Sequence, residues 1–177
     1  MTTSDEFPNG FATERLRAER LRPAHLADLL RMDSDPKVME HLGGVRNESQ
    51  TQAYLDRNLR HWDEHGFGLW MLREHDRNDV IGRAVLRHLL VEGVDEVEVG
   101  YGFYPAFWRR GFASEVTRVC LDLARNRLRQ STVVGVTTPG NLASQHVLVK
   151  NGLVYEREFM LDTMRMRLFR KSWDLQQ

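Results

Sequence analysis

Arg109, Arg110 and Gly111, which run at once into Phe112 and Ala113, form the segment of this chain best suited to hold an anion. The stretch before them, VDEVEVGYGFYP at 94–105, alternates with Val, Tyr and Phe and breaks at Pro105; after Gly111 the apolar spacing becomes helical. A glycine between arginines and small residues thus opens a helix. The first N–H groups of such a helix lack intrahelical partners and point outward beside two cationic side chains and the positive end of the dipole. A diphosphate-bearing ligand is the natural guest.

Composition limits what else the chain can be. At 177 residues it suits one domain with a full core, a size at which about 70% of the unfolded surface is buried. Lys plus Arg equal Asp plus Glu at 25 each, so no basic excess is available for a nucleic-acid backbone and any anion site must be local. The single cysteine, Cys120, excludes an internal disulfide; among Val116, Val119, Leu123 and Ala124 it reads as a buried thiol in a reducing compartment. The N-terminus is acidic and polar, and no run approaches the roughly 20 apolar residues of a membrane span. A soluble cytoplasmic protein with no membrane partner is expected.

The anion-binding turn needs a strand before it and a helix after it, and the periodicity supplies both. Residues 1–11 read as a loose tail. Seven strands are predicted, at 16–21, 69–74, 80–90, 94–104, 132–137, 153–161 and 163–171, from alternation or short apolar runs bounded by turn residues. Four helices are predicted. Pro23 opens the first, which carries Leu26, Leu29 and Leu30 and is ended by the Ser-Asp-Pro at 34–36. Asn47 or Ser49 caps the second, with Leu55, Leu59 and Trp62 on one stripe and Gly66 at its end. The third runs from Gly111 to about Leu128, and the fourth over 141–151, ended by Gly152. Strands 69–104 form an antiparallel meander, and strand-helix-strand from 94 to 137 implies a right-handed parallel crossover. In the final hairpin Met164, Met166 and Leu168 alternate with arginines and read as core. The result is one α/β (α+β) domain with a mixed, mostly antiparallel sheet.

WRRGFASE at 108–115 and NLASQHVLVKNGL at 141–153, in this order of elements, resemble the GNAT superfamily of acyl-CoA-dependent N-acetyltransferases. The closest likeness is to its RimJ/RimL-like branch, whose founding members acetylate the N-termini of ribosomal proteins. The resemblance spans roughly residues 13–173 and implies a single GNAT domain over 12–177, with acetyl-CoA in a wedge between the parallel crossover strands. It implies that the segment from Trp108 through Ala113, with Arg109, Arg110, Gly111, Phe112 and the following Ser114, binds the pyrophosphate. It implies also that Tyr101, Gly102 and Phe103 offer backbone groups to the pantetheine arm and that Asn141 contacts the cofactor, with Ser144 one turn on. Trp108 stands where Arg or Gln is usual and Ala113 where a last glycine is; contacts made by backbone tolerate both. Many members place a tyrosine seven residues after the asparagine to reprotonate the departing thiolate. This chain has Leu148 there, and likeness to RimL-type members makes Ser144 the replacement. Homodimerisation is compatible with the branch.

Acetyl transfer from acetyl-CoA directly to a primary amine, through a tetrahedral intermediate, needs a held thioester, a neutral nucleophile, a stabilised oxyanion and a proton for sulfur. An α-amine with a pKa of about 7.7–8 loses its proton more readily than a lysine at about 10.4, so one carboxylate acting through water could suffice. Glu98 is the first candidate for base or amine-orienting residue, ahead of Glu96 and His88. Glu96 and Glu98 share the strand face opposite Val97, Val99, Tyr101 and Phe103. The bland alternative for Glu98 is a solvated carboxylate on a half-exposed strand. At least one of Arg109 and Arg110 is expected to pair with phosphate, Lys150 to lie in water, and Asn141 to serve also as an N-cap. Trp62 is expected in the core, while Phe67 and Trp70 could join an acceptor pocket shaped by residues 42–47 and 47–66. Cys120 is a poor acyl carrier among apolar neighbours, and no metal is required. The acceptor is an amine, on a small molecule or a protein N-terminus. A non-catalytic acyl-CoA sensor is the alternative left open by the missing tyrosine, whereas no G-x-x-x-x-G-K-[ST] supports a P-loop enzyme.

Overall fold

The computed structural model describes residues 7–173. Its strands are β1 (Gly10–Ala12), β2 (Leu16–Arg20), β3 (Leu69–Glu74), β4 (Gly82–Val91), β5 (Val94–Phe103), β6 (Thr132–Thr137), β7 (Val154–Leu161) and β8 (Met164–Ser172). They form one sheet in the order β1-β2-β3-β4-β5-β6-β8-β7, antiparallel everywhere except between β5 and β6. The strand beyond the expected seven is β1, which lies partly in the stretch read as tail. Three residues are too few to show alternation; β1 is held by pairing with β2, and Phe7 just before it packs against Trp62, Phe67 and Trp70. The rest of the expected tail, residues 1–6, lies outside the described residues.

Five α-helices accompany the sheet: α1 (Leu26–Asp33), α2 (Pro36–Met39), α3 (Glu48–His65), α4 (Phe112–Asn126) and α5 (Leu142–Lys150). The additional one, α2, follows from Pro36 acting in two ways. It ends α1, as expected, and then serves as the first residue of a new turn whose N–H groups at Lys37 and Val38 are accepted by the Asp35 side chain. Pro23 opens a short 3-10 turn ahead of α1 rather than α1 itself. Asn47 caps α3 in a reciprocal pair with Gln50, at 2.9 Å each way, and Gly66 closes it in the left-handed conformation.

α4 connects β5 to β6 and buries Val116, Cys120 and Ala124 in the same core as Val97, Val99 and Phe103, with the Phe103 and Phe112 rings stacked at 6.1 Å. Trp62 of α3 donates its indole N–H to the Leu69 carbonyl at 2.9 Å and meets Trp70 edge-on at 5.4 Å. Both rings are fully buried, so Trp70 belongs to the core and not to a pocket. Met166 is buried as expected, whereas Met164 begins β8 beside the hairpin turn and is 39% exposed. Among the described residues no helix is long and apolar enough to cross a membrane.

The start of α4 is anchored from the far end of the sheet. Glu115 accepts from the Thr13 hydroxyl, from the Arg15 N–H at 2.9 Å and from Arg15 Nε at 2.8 Å. Burial alone would raise the Glu115 carboxyl; the bonds from Thr13 and Arg15 outweigh it and hold the group below the usual carboxylate range. Glu115→Gln should therefore lower unfolding stability by about 1–3 kcal/mol at neutral pH. A depressed folded value means that this contribution is present above an unfolded pKa of about 4.3 and lost as pH falls through the folded one. Urea melts of wild type and variant should differ at pH 7 and converge in acid; a gap that persists in acid would contradict the pairing.

Candidate active site

Between β5 and α4 the chain doubles back through one 3-10 turn at 105–107, and the Trp108 indole N–H closes the loop onto the Phe103 carbonyl at 2.8 Å. Arg109 and Gly111 both adopt left-handed backbone, with φ of 59° and 83°. At Gly111 a side chain would also bring its Cβ within 3.3 Å of Arg15 Nη2, so conformation and space both select glycine. The first helical bond runs from Glu115 N–H to the Gly111 carbonyl at 3.0 Å, and no side chain caps the helix. Among the described residues the N–H groups of Phe112, Ala113 and Ser114 have no hydrogen-bond partner and stand at the positive end of the dipole, an arrangement suited to an anion. Arg15 braces it from behind, donating Nη1–H to the Arg110 carbonyl at 2.8 Å and lying over the Phe112 ring.

The two arginines of the turn part company. Arg110 is turned away, with Nη2 2.7 Å from Glu74 Oε1 and its guanidinium over Phe112. Arg109 is exposed and has no ion pair among the described residues, so of the two it is the one open to an anion. The Ser114 hydroxyl is buried and accepts from Asn151 Nδ2 at 3.0 Å, so its side chain is engaged within the fold.

Beside this turn the sheet splits. β5 and β6 share one bridge, Glu98 to Val134, and beyond it the edge of β5 from Val99 to Phe103 has no strand partner on that side. Below the bridge Arg170 of β8 reaches across β6 and grips Glu96 with two bonds of 3.0 and 2.7 Å, so both Glu96 oxygens are engaged. Above it, the Tyr101 hydroxyl lies 2.9 Å from Ser144 Oγ and 3.3 Å from the Ser144 carbonyl. Burial pushes the Tyr101 phenol up to about 12, with the Ser144 bond opposing. The Asn141 side chain accepts from the Ser144 N–H at 3.1 Å and so caps α5 as expected. Leu148 is buried against Gly135, whose missing Cβ would lie 2.6 Å from Leu148 Cδ2; the position of the usual tyrosine is filled by packing. Lys150 is exposed.

On the other face of β5, Glu98, Gly100 and Gly102 stand in register with Arg87, Val85 and Arg83 of β4. Glu98 is 4% exposed, so it is not a solvated carboxylate. Its Oε2 accepts from Arg87 Nε at 2.6 Å, and its charge holds the Arg87 guanidinium above its ordinary range against the opposing effect of burial. Its Oε1 has no hydrogen-bond partner among the described residues. His88 is engaged elsewhere, with Nδ1 2.9 Å from Asp95 and its backbone N–H donated to His61 Nε2, and Phe67 packs on these imidazoles. Over Gly102 lies Leu42, so close that a Cβ would come within 3.1 Å of it, and His41 Nδ1 meets Thr138 Oγ1 at 2.8 Å. The loop after α2 thus spans the mouth of the split.

Residues 15–154 match the family described as acetyltransferase (GNAT) domain. The chain belongs to the GNAT acetyltransferase family. It is similar to Uncharacterized protein YkkB of Bacillus subtilis (strain 168), with 28% identity over 146 residues, 82% of this chain and 85% of that protein. In fold it is similar to the acetyltransferase from Agrobacterium tumefaciens str. C58, with a TM-score of 0.82 at 23% identity over 98% of this chain and 99% of that one. It is similar also to RimL, the ribosomal L7/L12 alpha-N-protein acetyltransferase in complex with coenzyme A, with a TM-score of 0.75 at 15% identity over 96% and 99% of the two chains. As a GNAT member it is an acyl-CoA-dependent N-acetyltransferase whose donor is acetyl-CoA. Three free N–H groups and Arg109 suit a diphosphate, and the unpaired β5 edge suits an amide-bearing arm, so the residues present fit coenzyme A.

Three substitutions test that fit by calorimetry with coenzyme A. Gly111→Asp should abolish measurable binding in a folded protein. Arg109→Ala should weaken binding by roughly tenfold, the value of one charge-assisted bond, and Arg110→Ala by much less. A larger loss at Arg110 would put the phosphates on the wrong side of the turn.

Proposed function

We propose that this enzyme acetylates a primary amine directly, with Glu98 receiving the amine and the Ser144–Tyr101 hydroxyl pair returning a proton to sulfur. The observation that carries the reading is the state of Glu98: Arg87 fixes one oxygen at 2.6 Å, and the other has no hydrogen-bond partner among the described residues, at the point where β5 and β6 last touch. A held acceptor oxygen beside an open strand edge suits the orientation of an amine, directly or through one water, towards a carbonyl bound along that edge. Nearby guanidinium charge disfavours an ammonium and so favours the neutral nucleophile. When bound, acetyl-CoA supplies the activated acyl group as a thioester. Gly102 turns its N–H into the β4 ladder, which leaves the backbone N–H groups of Tyr101 and Phe103 as the donors available to hold its carbonyl oxygen.

Ser144 takes the part of proton donor across the split, backed by a Tyr101 phenol that stays protonated at any working pH. Protein N-terminal α-amines and small-molecule amines both suit this machinery. The likeness to RimL supports an α-amine, whose pKa of about 7.7–8 asks less of a base than lysine does. Burial pushes the Cys120 thiol up to about 12, which supports direct transfer without an acyl-cysteine.

Glu98→Gln and Ser144→Ala should each lower kcat by about two orders of magnitude, the usual reach of a positioned proton-transfer group, with coenzyme A affinity retained. Tyr101→Phe should fall in the same direction, and its double variant with Ser144→Ala should be no worse than the serine variant alone, because the two hydroxyls act as a unit. Cys120→Ala should keep full activity. Coenzyme A binding without thiol release on any amine would contradict catalysis and support a sensor.

A further inference from the structure

The face of β4 that meets Glu98 gathers more positive charge than its own carboxylates neutralise. The guanidinium carbons of Arg46, Arg83 and Arg57 lie 4.4, 4.9 and 5.6 Å from the Tyr54 ring centroid, and Arg87 lies near enough to feel the same side chain. Two carboxylates answer these four cations. Asp33, fully buried, accepts from Arg83 Nη1 at 2.7 Å and from Arg46 Nη1 at 3.1 Å, with the Thr51 hydroxyl at 3.3 Å. Glu98 accepts from Arg87 Nε.

The surplus sits on the outer members. Arg57, on the exposed side of α3, has no ion pair among the described residues, and Arg87 spends only Nε on Glu98 while its side chain stays 32% exposed. Between them, Tyr54 is 6% exposed and its hydroxyl has no hydrogen-bond partner among the described residues. Although the ring is packed away, the hydroxyl itself keeps contact with solvent, where a ligand can reach it. The cations over its ring are Arg46, Arg83 and Arg57, and of these Arg57 has no carboxylate partner among the described residues.

We infer that the acceptor substrate is an amine carrying its own carboxylate, with the amine at Glu98 and the carboxylate received by Arg57, Arg87 and the Tyr54 hydroxyl. The inference rests on the reading that Glu98 receives the amine. Guanidinium N–H groups match a carboxylate in charge and in planar fork geometry, and such bonds gain strength away from bulk water. A free α-amino acid presents this pair of groups, and so does a peptide with an acidic residue at its start. A polyamine does not: its second ammonium would be brought against the surplus positive charge.

The test uses the full chain with saturating acetyl-CoA and follows thiol release on matched acceptors. These are α-amino acids against their carboxamides, peptides beginning with Asp or Glu against peptides beginning with Asn or Gln, and spermidine. The expected result is a kcat/KM at least tenfold higher for the carboxylate member of a pair, with spermidine poorest; whichever pair shows it names the source. In Arg57→Gln that ratio should collapse towards one, and Arg57→Lys should restore part of it, which a merely structural role on an exposed helix face would not produce. Amides and spermidine used as well as carboxylates would overturn the inference while leaving the role of Glu98 intact. Should no amine turn over at all, the catalytic reading fails separately, and calorimetry with the same amino acids in the presence of coenzyme A decides the inference: heat that vanishes in Arg57→Gln sustains it, and no heat overturns it.

Discussion

A single bridge, Glu98 to Val134, joins β5 to β6, and the site exists because the two strands part beyond it. Main-chain groups at a strand edge are ordinarily paired or given to water. Here a stretch of edge stays open inside the fold because each strand has other partners. β5 is fully paired with β4 on its far side, and β6 with β8. Leu148 seats β6 against α5, while Tyr101 reaches from β5 to Ser144 at the start of the same helix. Arg170, gripping Glu96 from β8, keeps the strands together below the bridge and so fixes where the opening begins.

The two sides of the split are chemically unlike. Towards α4 and α5 the available groups are main-chain N–H donors and two hydroxyls, which suit a ligand recognised by its phosphates and amides. Towards α1 and α3 they are side-chain charges, Glu98 among Arg83, Arg87 and their neighbours, which suit a smaller polar molecule. A chain with equal numbers of acidic and basic residues thus carries a strongly local field beside the split between β5 and β6. The brace from Arg15 and Thr13 to Glu115 belongs to the same design, since the left-handed backbone at Arg109 costs about 1–2 kcal/mol and needs a rigid surround.

The parts of this arrangement that are local in sequence could be read from it. The strand-turn-helix around Gly111, the cap at Asn141 and the buried Cys120 each depend on residues within one or two turns of each other, and the parallel crossover follows from the order of strand, helix and strand. The ion pairs could not be read in the same way, because Arg15 meets Glu115, Arg170 meets Glu96 and Asp33 meets Arg83 only through the folded sheet. One of them was within reach: counting back from the turn at Glu92 and Gly93 pairs Arg87 with Glu98. That count would have distinguished a fixed carboxylate from a solvated one. Arg109 and Arg110 were indistinguishable because their difference lies in Glu74, on another strand. β1 and α2 were missed because three or four residues carry no period, and such short elements take their stability from neighbours.

The central claim is that the main-chain amides of Phe112, Ala113 and Ser114 bind the phosphates directly. Amide hydrogen exchange resolved at single residues, with and without coenzyme A, measures this without reference to activity. The account predicts fast exchange at these three positions in the free protein and strong protection on binding, concentrated there and at Tyr101 and Phe103 on the open edge of β5. Binding of coenzyme A that leaves the three amides exchanging at their free rates would contradict it.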